Sequence, residues 1–387
     1  MKGSITQRGK ESWRYTFYHD DKPIKGTIRA KTKKAAWEQL RGIMTETESG
    51  GFIEPSKVTV AEHLGKWLET IEADLGSTTV ERYSQVCNNH IIPALGEARL
   101  QKLRPVQIQD FINDCRKEGR IDGKGGLSAR TALHIHRIFK LALKQAIGWQ
   151  LISLNPMDGI AAPSPDKPEV EVLDKAETAK LLKAAEGRPI YTSILLAVTT
   201  GMRRGELLAL RWSDIDFLEG HLDVNQALVD TKAKGLEFKA PKSKAGKRRI
   251  SLPAITIEEL KRHRNRQAEK FFKLGFRPGN DDLVFLSIHA DGTVGARKPR
   301  ALTKVFSGFI KGVDVPQITL HGLRHTHITH LLMDGVPINV VSKRAGHSTV
   351  TITLDVYGHV LEEGQQELAD NYGSALEQAL ADQEKSG

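Results

Sequence analysis

Apolar and polar positions alternate most clearly at the start of the chain. Trp13, Tyr15 and Phe17 stand between Arg14, Thr16 and Tyr18, the two-residue period of a strand with one apolar face. Asp20-Asp21 supplies a turn, and Ile24 to Ala30 reads as a second strand. Thr32 is placed to cap a helix from Lys33 towards Met44. From about Val58 the period lengthens to that of helices. A helix from Val60 carries Leu64, Trp67 and Leu68, and Ser77-Thr78-Thr79 caps another through Tyr83. Val106 to Cys115 sets Ile108, Phe111 and Ile112 at helical spacing. After a flexible loop at Gly123 to Gly126, a long helix over Ala129 to Trp149 turns Leu133, Ile138, Leu141 and Ala142 inward. Lys175 to about Tyr372 is a mixed α/β pattern. Glu362 to Gly387 is acidic and helix-favouring, with Leu368, Ala375, Leu376 and Leu380 as a modest apolar stripe for a partner surface.

Two breaks divide these patterns. Gly50-Gly51 with Pro55 marks one linker, and Ala161-Ala162-Pro163-Ser164-Pro165-Asp166-Lys167-Pro168 marks a clearer one. With 387 residues the chain is too long for one ordinary core. The expected fold is multidomain: a small β-rich module with one helix over 1–52, an all-α segment over 58–160, a linker over 161–170, a mixed α+β but mainly helical segment over 171–373, and a tail over 374–387.

Charge narrows the partner. Fifty-seven Lys and Arg against 47 Asp and Glu leave a formal net charge of +10, which favours a polyanion, nucleic acid ahead of a membrane surface. Lys25, Arg29, Lys31, Lys33 and Lys34 make the first module basic, and Arg130, His134, Arg137, Lys140 and Lys144 step along the long helix. Each set reads either as a solvated face or as a surface for a DNA backbone. Cys87 and Cys115 are the only cysteines, too few for a disulfide framework or a Cys-rich zinc site, and they fit a reducing cytosol. No apolar leader opens the sequence, and the richest apolar run, Ile194 to Val198, is far short of bilayer length, so a cytoplasmic location is expected.

Three constellations in the third segment carry chemistry. In Thr199-Thr200-Gly201-Met202-Arg203-Arg204-Gly205-Glu206, a turn leads into a short helix, and Arg203 and Glu206 share a face. An arginine at a helix start is electrostatically odd unless arginine and helix terminus together hold a phosphate; the plain alternative is a surface ion pair. In His321-Gly322-Leu323-Arg324-His325-Thr326, His321 and Arg324 share a face; a guanidinium matches a phosphate and an imidazole can donate or move a proton. His325, His327 and His330 lie near, at a spacing too irregular for a metal site. In the third constellation Gly346 stops one helix and Ser348-Thr349 caps the next, bringing in His347 and then Asp355-Val356-Tyr357-Gly358-His359.

The order Arg…His-x-x-Arg…Gly-His…Tyr resembles the tyrosine recombinase family, also called phage integrases. Thr200-Gly201-Met202-Arg203 matches its first arginine motif, His321-Gly322-Leu323-Arg324 its His-x-x-Arg motif, Gly346-His347 its second histidine motif, and Tyr357 its nucleophile. Trp212-Ser213-Asp214-Ile215 fits as well. The family carries a lysine on a β-hairpin between the first two motifs. Lys239 to Pro253 reads as that hairpin, turning at Lys244-Ala245-Gly246, with Lys242 the better match and Lys244 its rival. By the same resemblance the helical segment is a SAM-like core-binding domain and the first module an arm-type DNA-binding domain. The two central segments would clamp a duplex.

The resemblance implies a reaction. Tyr357 would attack the scissile phosphate, forming a 3′-phosphotyrosine and a free 5′-hydroxyl; the bond energy is kept, so no ATP is consumed. A phenol of pKa about 10 needs help to lose its proton, which by family analogy comes from His321. Arg203 and Arg324 would neutralise the equatorial oxygens, His347 would donate to them, Lys242 would protonate the leaving oxygen, and Glu206 would orient its neighbours. No cofactor or metal is implied. The implied partners are double-stranded DNA at core and arm-type sites, further copies of the chain in a homotetramer on DNA, and DNA-bending or directionality accessory proteins. DNA contacts are expected from Lys25, Arg29, Lys33, Lys34, Arg130, Arg137, Lys140 and Lys144, and the acidic tail is a candidate for reaching a neighbour. Competing readings are a DNA-binding regulator with a dead site, a type IB topoisomerase and a resolvase of chromosome dimers. Covalent trapping on nicked DNA separates the first from an enzyme. The arm-like module argues against the other two.

Overall fold

The computed structural model describes residues 3–19, 22–48, 53, 55–166, 171–241, 244–288, 291–363 and 365–384. They fall into two compact units, Met1–Lys167 and Pro168–Gly387. The expected turn at Asp20-Asp21 and the break at Gly50-Gly51 lie outside the described residues.

The first unit opens with an antiparallel sheet of three strands, β1 (Gly3–Gly9), β2 (Ser12–His19) and β3 (Lys22–Arg29), in that order. The alternation in β2 buries Trp13, Tyr15 and Phe17 against Ile28, Ala30 and the helix α1 (Lys33–Glu48), which contributes Ala36 and Leu40. The Thr32 hydroxyl accepts the Ala35 amide at 3.2 Å, as a cap should. The pattern gave no reason to expect β1, because this edge strand is mostly exposed and offers one apolar side chain, Ile5.

Five helices follow: α2 (Val60–Glu72), α3 (Ser77–Val86), α4 (Ile92–Leu95), α5 (Pro105–Glu118) and α6 (Ala129–Gly148), with a wider turn over Cys87–Ile91. Thr59 and Glu62 cap α2 reciprocally. The cap of α3 is Gly76, without a side-chain bond, so Ser77 lies inside the helix instead of before it. Trp67, Ile108, Phe111, Ile135, Phe139 and Leu143 form the core. On α6 the buried stripe runs through Ile135, Ile138, Phe139, Ala142, Leu143 and Ala146, which puts Leu141 outside it with 45% of its surface exposed.

The second unit is mainly helical. Its helices are α7 (Lys175–Ala185), α8 (Tyr191–Thr200), α9 (Arg204–Ala209), α10 (Ala254–Lys273), α11 (Pro299–Ile310), α12 (Gly322–Met333), α13 (Ile338–Ala345), α14 (Val350–Glu363) and α15 (Gln365–Glu384). Its strands are β4 (Ile215–Asp216), β5 (His221–Val224), β6 (Ala227–Thr231), β7 (Gly235–Lys239), β8 (Arg248–Ser251), β9 (Leu286–Ile288) and β10 (Val294–Ala296). They pair as β4-β5-β8, β6-β7 and β9-β10. The expected hairpin over Lys239 to Pro253 is therefore corrected: β7 pairs back to β6, β8 pairs with β5, and the Lys244–Gly246 turn links two sheets. Helix α8 is buried almost all round, with Thr192 to Ala197 all inside. It packs in a core with Leu207, Leu208, Leu222, Ile250, Leu302, Phe306 and Leu323. The Trp212 indole donates to Gln267 Oε1 at 2.6 Å, fixing the chain after α9. A tail beginning at 374 does not match the structure, since α15 runs unbroken through Gly373.

Candidate active site

Two glycine turns shape the site. Helix α8 ends at Gly201 with φ of 64°, where a Cβ would lie 2.6 Å from the His327 ring. Helix α13 ends at Gly346 with φ of 71°, where a Cβ would lie 2.7 Å from Arg248 Nη1. The two turns free two carbonyls that guanidiniums use. Arg324 Nη1 donates to Gly201 O at 2.7 Å, and Arg203 Nη2 donates to Gly346 O at 2.9 Å.

Glu206 organises the arginines. The backbone N–H of Arg203, at the start of α9, donates to its Oε2 at 2.9 Å, and Nη1 of the same residue donates to Oε1 at 2.9 Å. Arg248 donates to the same carboxylate from Nη2 at 2.8 Å and Nη1 at 3.2 Å. Burial alone would raise the Glu206 carboxyl, but the guanidiniums of Arg248 and Arg203 and the Arg203 N–H outweigh it and hold it below the usual carboxylate range. Arg248 has no part in the sequence reading of that segment, yet it is buried, because it shares the inward face of β8 with Ile250. That two-residue register is the signal that could have found it.

Helix α12 supplies the second arginine and the histidines. Arg324 is 3% exposed, and its Nη2 has no hydrogen-bond partner among the described residues. Burial, with Arg203 beside it, pushes the guanidinium down to about 10, still charged at neutral pH. A buried donor left unmatched carries a desolvation penalty, so an acceptor fits there. His321 opens the helix, and burial followed by Arg324, Arg203 and Arg204 lowers its pKa. His347, just past Gly346, is tied through Nδ1 to Thr353 Oγ1 at 2.8 Å and is pushed down to about 4 by burial and then by Arg324 and Arg203.

Tyr357 stands on α14, 2% exposed, against Ile328, Leu332, Val341 and Ala345. Burial raises its hydroxyl above the ordinary tyrosine value, against the pull of Arg324. Its hydrogen-bond partner is His325, whose Nδ1 lies 2.5 Å from the hydroxyl. In the sequence His325 suggests only a metal ligand; its position one turn past His321, on the same face, is the signal that points to this contact.

The structure thus gathers Arg203, Glu206, His321, Arg324, His347 and Tyr357, and adds Arg248 and His325. Lys242 lies outside the described residues, and the side chain of its rival Lys244 is likewise undescribed. His327 faces Arg344 Nε at 3.1 Å and His330 Nε2 lies 2.8 Å from Leu173 O, so both brace the fold. Among the described residues no group of three or more His, Cys, Asp or Glu could hold a metal. In the first unit, Lys25 and Arg29 are exposed on β3, Lys33 and Lys34 at the start of α1, and Arg130, Arg137, Lys140 and Lys144 along α6, where Lys140 also pairs with Asp158 at 3.0 Å. No helix of the described residues is long and apolar enough to cross a membrane.

Known proteins carry the same pattern. The profile of the phage integrase family matches residues 171–363, and that of the phage integrase N-terminal SAM-like domain matches residues 59–115. An integrase of Streptomyces ambofaciens is 30% identical over 84% of this chain and 83% of its own. This chain belongs to the tyrosine recombinase, or phage integrase, family. It is accordingly a site-specific recombinase of the kind that integrates mobile elements. A tyrosine recombinase XerC-like protein of Caldanaerobacter subterraneus subsp. tengcongensis is 29% identical over 93% of this chain and 95% of its own. In fold, the chain is similar to the Tn1549 transposon integrase in complex with transposon right end DNA, with a TM-score of 0.66, 23% identity, and coverage of 80% of this chain and 99% of that one.

Proposed function

We propose that this recombinase cleaves and rejoins duplex DNA through a covalent bond between Tyr357 and a 3′-phosphate. The observation that carries this reading is the buried, unmatched Nη2 of Arg324 in a site where Arg203 and Tyr357 also stand. Arg203 and Arg324 would bind the non-bridging oxygens and neutralise charge that grows in the transition state. His347 and His321, both uncharged at neutral pH, would supply further hydrogen bonds. Lys242 is the proposed acid for the departing 5′-oxygen, with Lys244 as the alternative. Phosphoester energy passes into the phosphotyrosine and back, so the reaction would need neither ATP nor a metal ion.

Strand exchange involves two duplexes, and the proposed working form is a homotetramer on DNA, the state in which a lambda integrase bound to a Holliday junction is known. The exposed basic residues of the first unit are the proposed contacts, those of α6 to a core site and those of β3 and α1 to arm-type sites. Accessory proteins that bend DNA or set direction would act on that complex. The test is a nicked duplex that traps the covalent intermediate. Wild type should become attached to it, and Tyr357→Phe should bind the DNA with similar affinity and form no adduct. An adduct formed by Tyr357→Phe would remove Tyr357 as the nucleophile.

A further inference from the structure

A phenol that attacks phosphorus must lose its proton, and the Tyr357 hydroxyl lies 2.5 Å from Nδ1 of His325. His321, one turn earlier on α12, meets His325 edge-on, with ring centroids 4.8 Å apart and planes at 90°, and has no hydrogen bond to Tyr357 among the described residues. We propose that His325 Nδ1, in place of His321, takes the Tyr357 proton as the phenolic oxygen attacks the phosphate. The proposal rests on the recombinase reading above and deepens it.

The step balances. The Tyr357 O–H bond breaks and its proton passes to His325 Nδ1, giving an imidazolium. The phenolic oxygen forms its bond to phosphorus while the bond to the 5′-oxygen breaks, and the general acid protonates that oxygen. Rejoining runs the same transfers backwards, with His325 returning the proton to the leaving phenol. His321 is left free to donate to a non-bridging oxygen.

The surroundings explain why this base waits for DNA. His325 faces His321 and Arg324 from its own helix and Tyr357 from α14; Arg203, Glu206, Arg248 and His347 are the other charged and titratable groups of the site among the described residues. Burial, then His321 and Arg324, push His325 down to about 4, so in the free protein it is neutral, and with its one proton on Nε2 its Nδ1 would accept the hydrogen bond without taking the proton. A phosphodiester seated on Arg203 and Arg324 would bring negative charge to the same pocket. It would offset that field and raise the basicity of His325 only when substrate is present. Tyr357 would thus stay protonated and buried until a phosphate arrives.

The test compares single-turnover adduct formation on the nicked duplex by full-length wild type, His325→Asn, His325→Ala and His321→Asn. Asparagine at 325 places Oδ1 where Nδ1 stands, so it can accept the hydroxyl hydrogen bond but cannot take the proton. His325→Asn should slow adduct formation roughly 100-fold or more, the usual share of a general base. Its rate should climb about tenfold per pH unit from about pH 7 to about pH 9.5, as hydroxide takes over the phenol's proton. His325→Ala should behave alike, and His321→Asn should keep the pH profile of wild type. Melting temperature and DNA affinity confirm folding, and His325→Asn alone decides if the alanine variant unfolds. A His325→Asn rate close to wild type, or the steep pH profile appearing in His321→Asn instead, would overturn the proposal. Failure of wild type itself to form an adduct would overturn the recombinase reading and is distinguishable from both.

Discussion

Glu206 is a buried carboxylate on which Arg203 and Arg248 converge, and its removal separates structure from catalysis. The Arg248 side chain is 4% exposed, so in Glu206→Gln a charge would be left in the interior with weakened compensation. Breaking a buried pair of this kind costs roughly 3 kcal/mol or more, and urea unfolding should show a loss of that order. The Arg203 side chain is 41% exposed, so its share in that loss is small, and its proposed value lies in the reaction. Arg203→Lys should therefore fold normally and bind DNA, yet form adduct on the order of 100-fold more slowly, because an ammonium cannot span two phosphate oxygens. Near-normal cleavage by Arg203→Lys would count against a bidentate role. His327 gives a different pH signature. Burial and then Arg344 push it down to about 3, below the roughly 6.5 of an unfolded chain. Between those values the unfolded state binds more protons, so the contribution of His327 is complete above about pH 6.5 and is lost as pH falls towards 3. Thermal melting of the full chain should drop across that window, and His327→Gln should flatten the dependence; equal slopes in both proteins would show that His327 does not carry it.

At the scale of elements, the site hangs on two helix ends that only glycine can make this tight. Gly346→Ala would meet both the positive φ and the Arg248 guanidinium, whose Nη1 sits 2.7 Å from the new Cβ. It should lower stability by about 1–2 kcal/mol and shift the carbonyl that holds Arg203. Adduct formation should then fall more than DNA binding does, which parallel measurements would show; equal losses would mean general unfolding. These turns explain which parts of the site are legible in the sequence. Gly201 and Gly346 can be read directly as helix stops, and Arg203, Arg324 and Tyr357 stand in the short motifs that carry the family resemblance. Arg248 and His325 cannot be found that way. Arg248 matters through a strand pairing with β5 and a contact with Glu206, 42 positions away, while His325 matters through a contact with Tyr357, 32 positions away. The misread hairpin has the same origin: the alternation in Arg248–Ser251 announces a strand, but its partner is decided by packing around Leu222 and Ile250. Likewise β1, an exposed edge held by pairing with β2, leaves almost no apolar trace.

At the scale of the whole molecule, the proposed DNA substrate would draw on the charge of each unit. The basic residues fall into two sets: Arg203, Arg248 and Arg324 are gathered at the candidate site, whereas Lys25, Arg29, Lys33 and Lys34 stand exposed on the small sheet module. That module has its own core of Trp13, Tyr15, Phe17 and Leu40, to which these four side chains contribute nothing. Replacing all four by alanine in the full chain should therefore leave melting unchanged. If they hold phosphates of an arm-type site, each contact releases close to one counterion, so the slope of log affinity against log salt on such DNA should shrink by about 3–4. Binding to a core site, and adduct formation there, should keep the wild-type slope and rate, because the contacts proposed for them lie on α6 and in the second unit. Titrations of both DNAs across a range of salt, with wild type and the fourfold variant side by side, separate the outcomes. An unchanged slope on both DNAs would leave the four residues as a solvated face, and an equal loss on both would show that the module serves the core site.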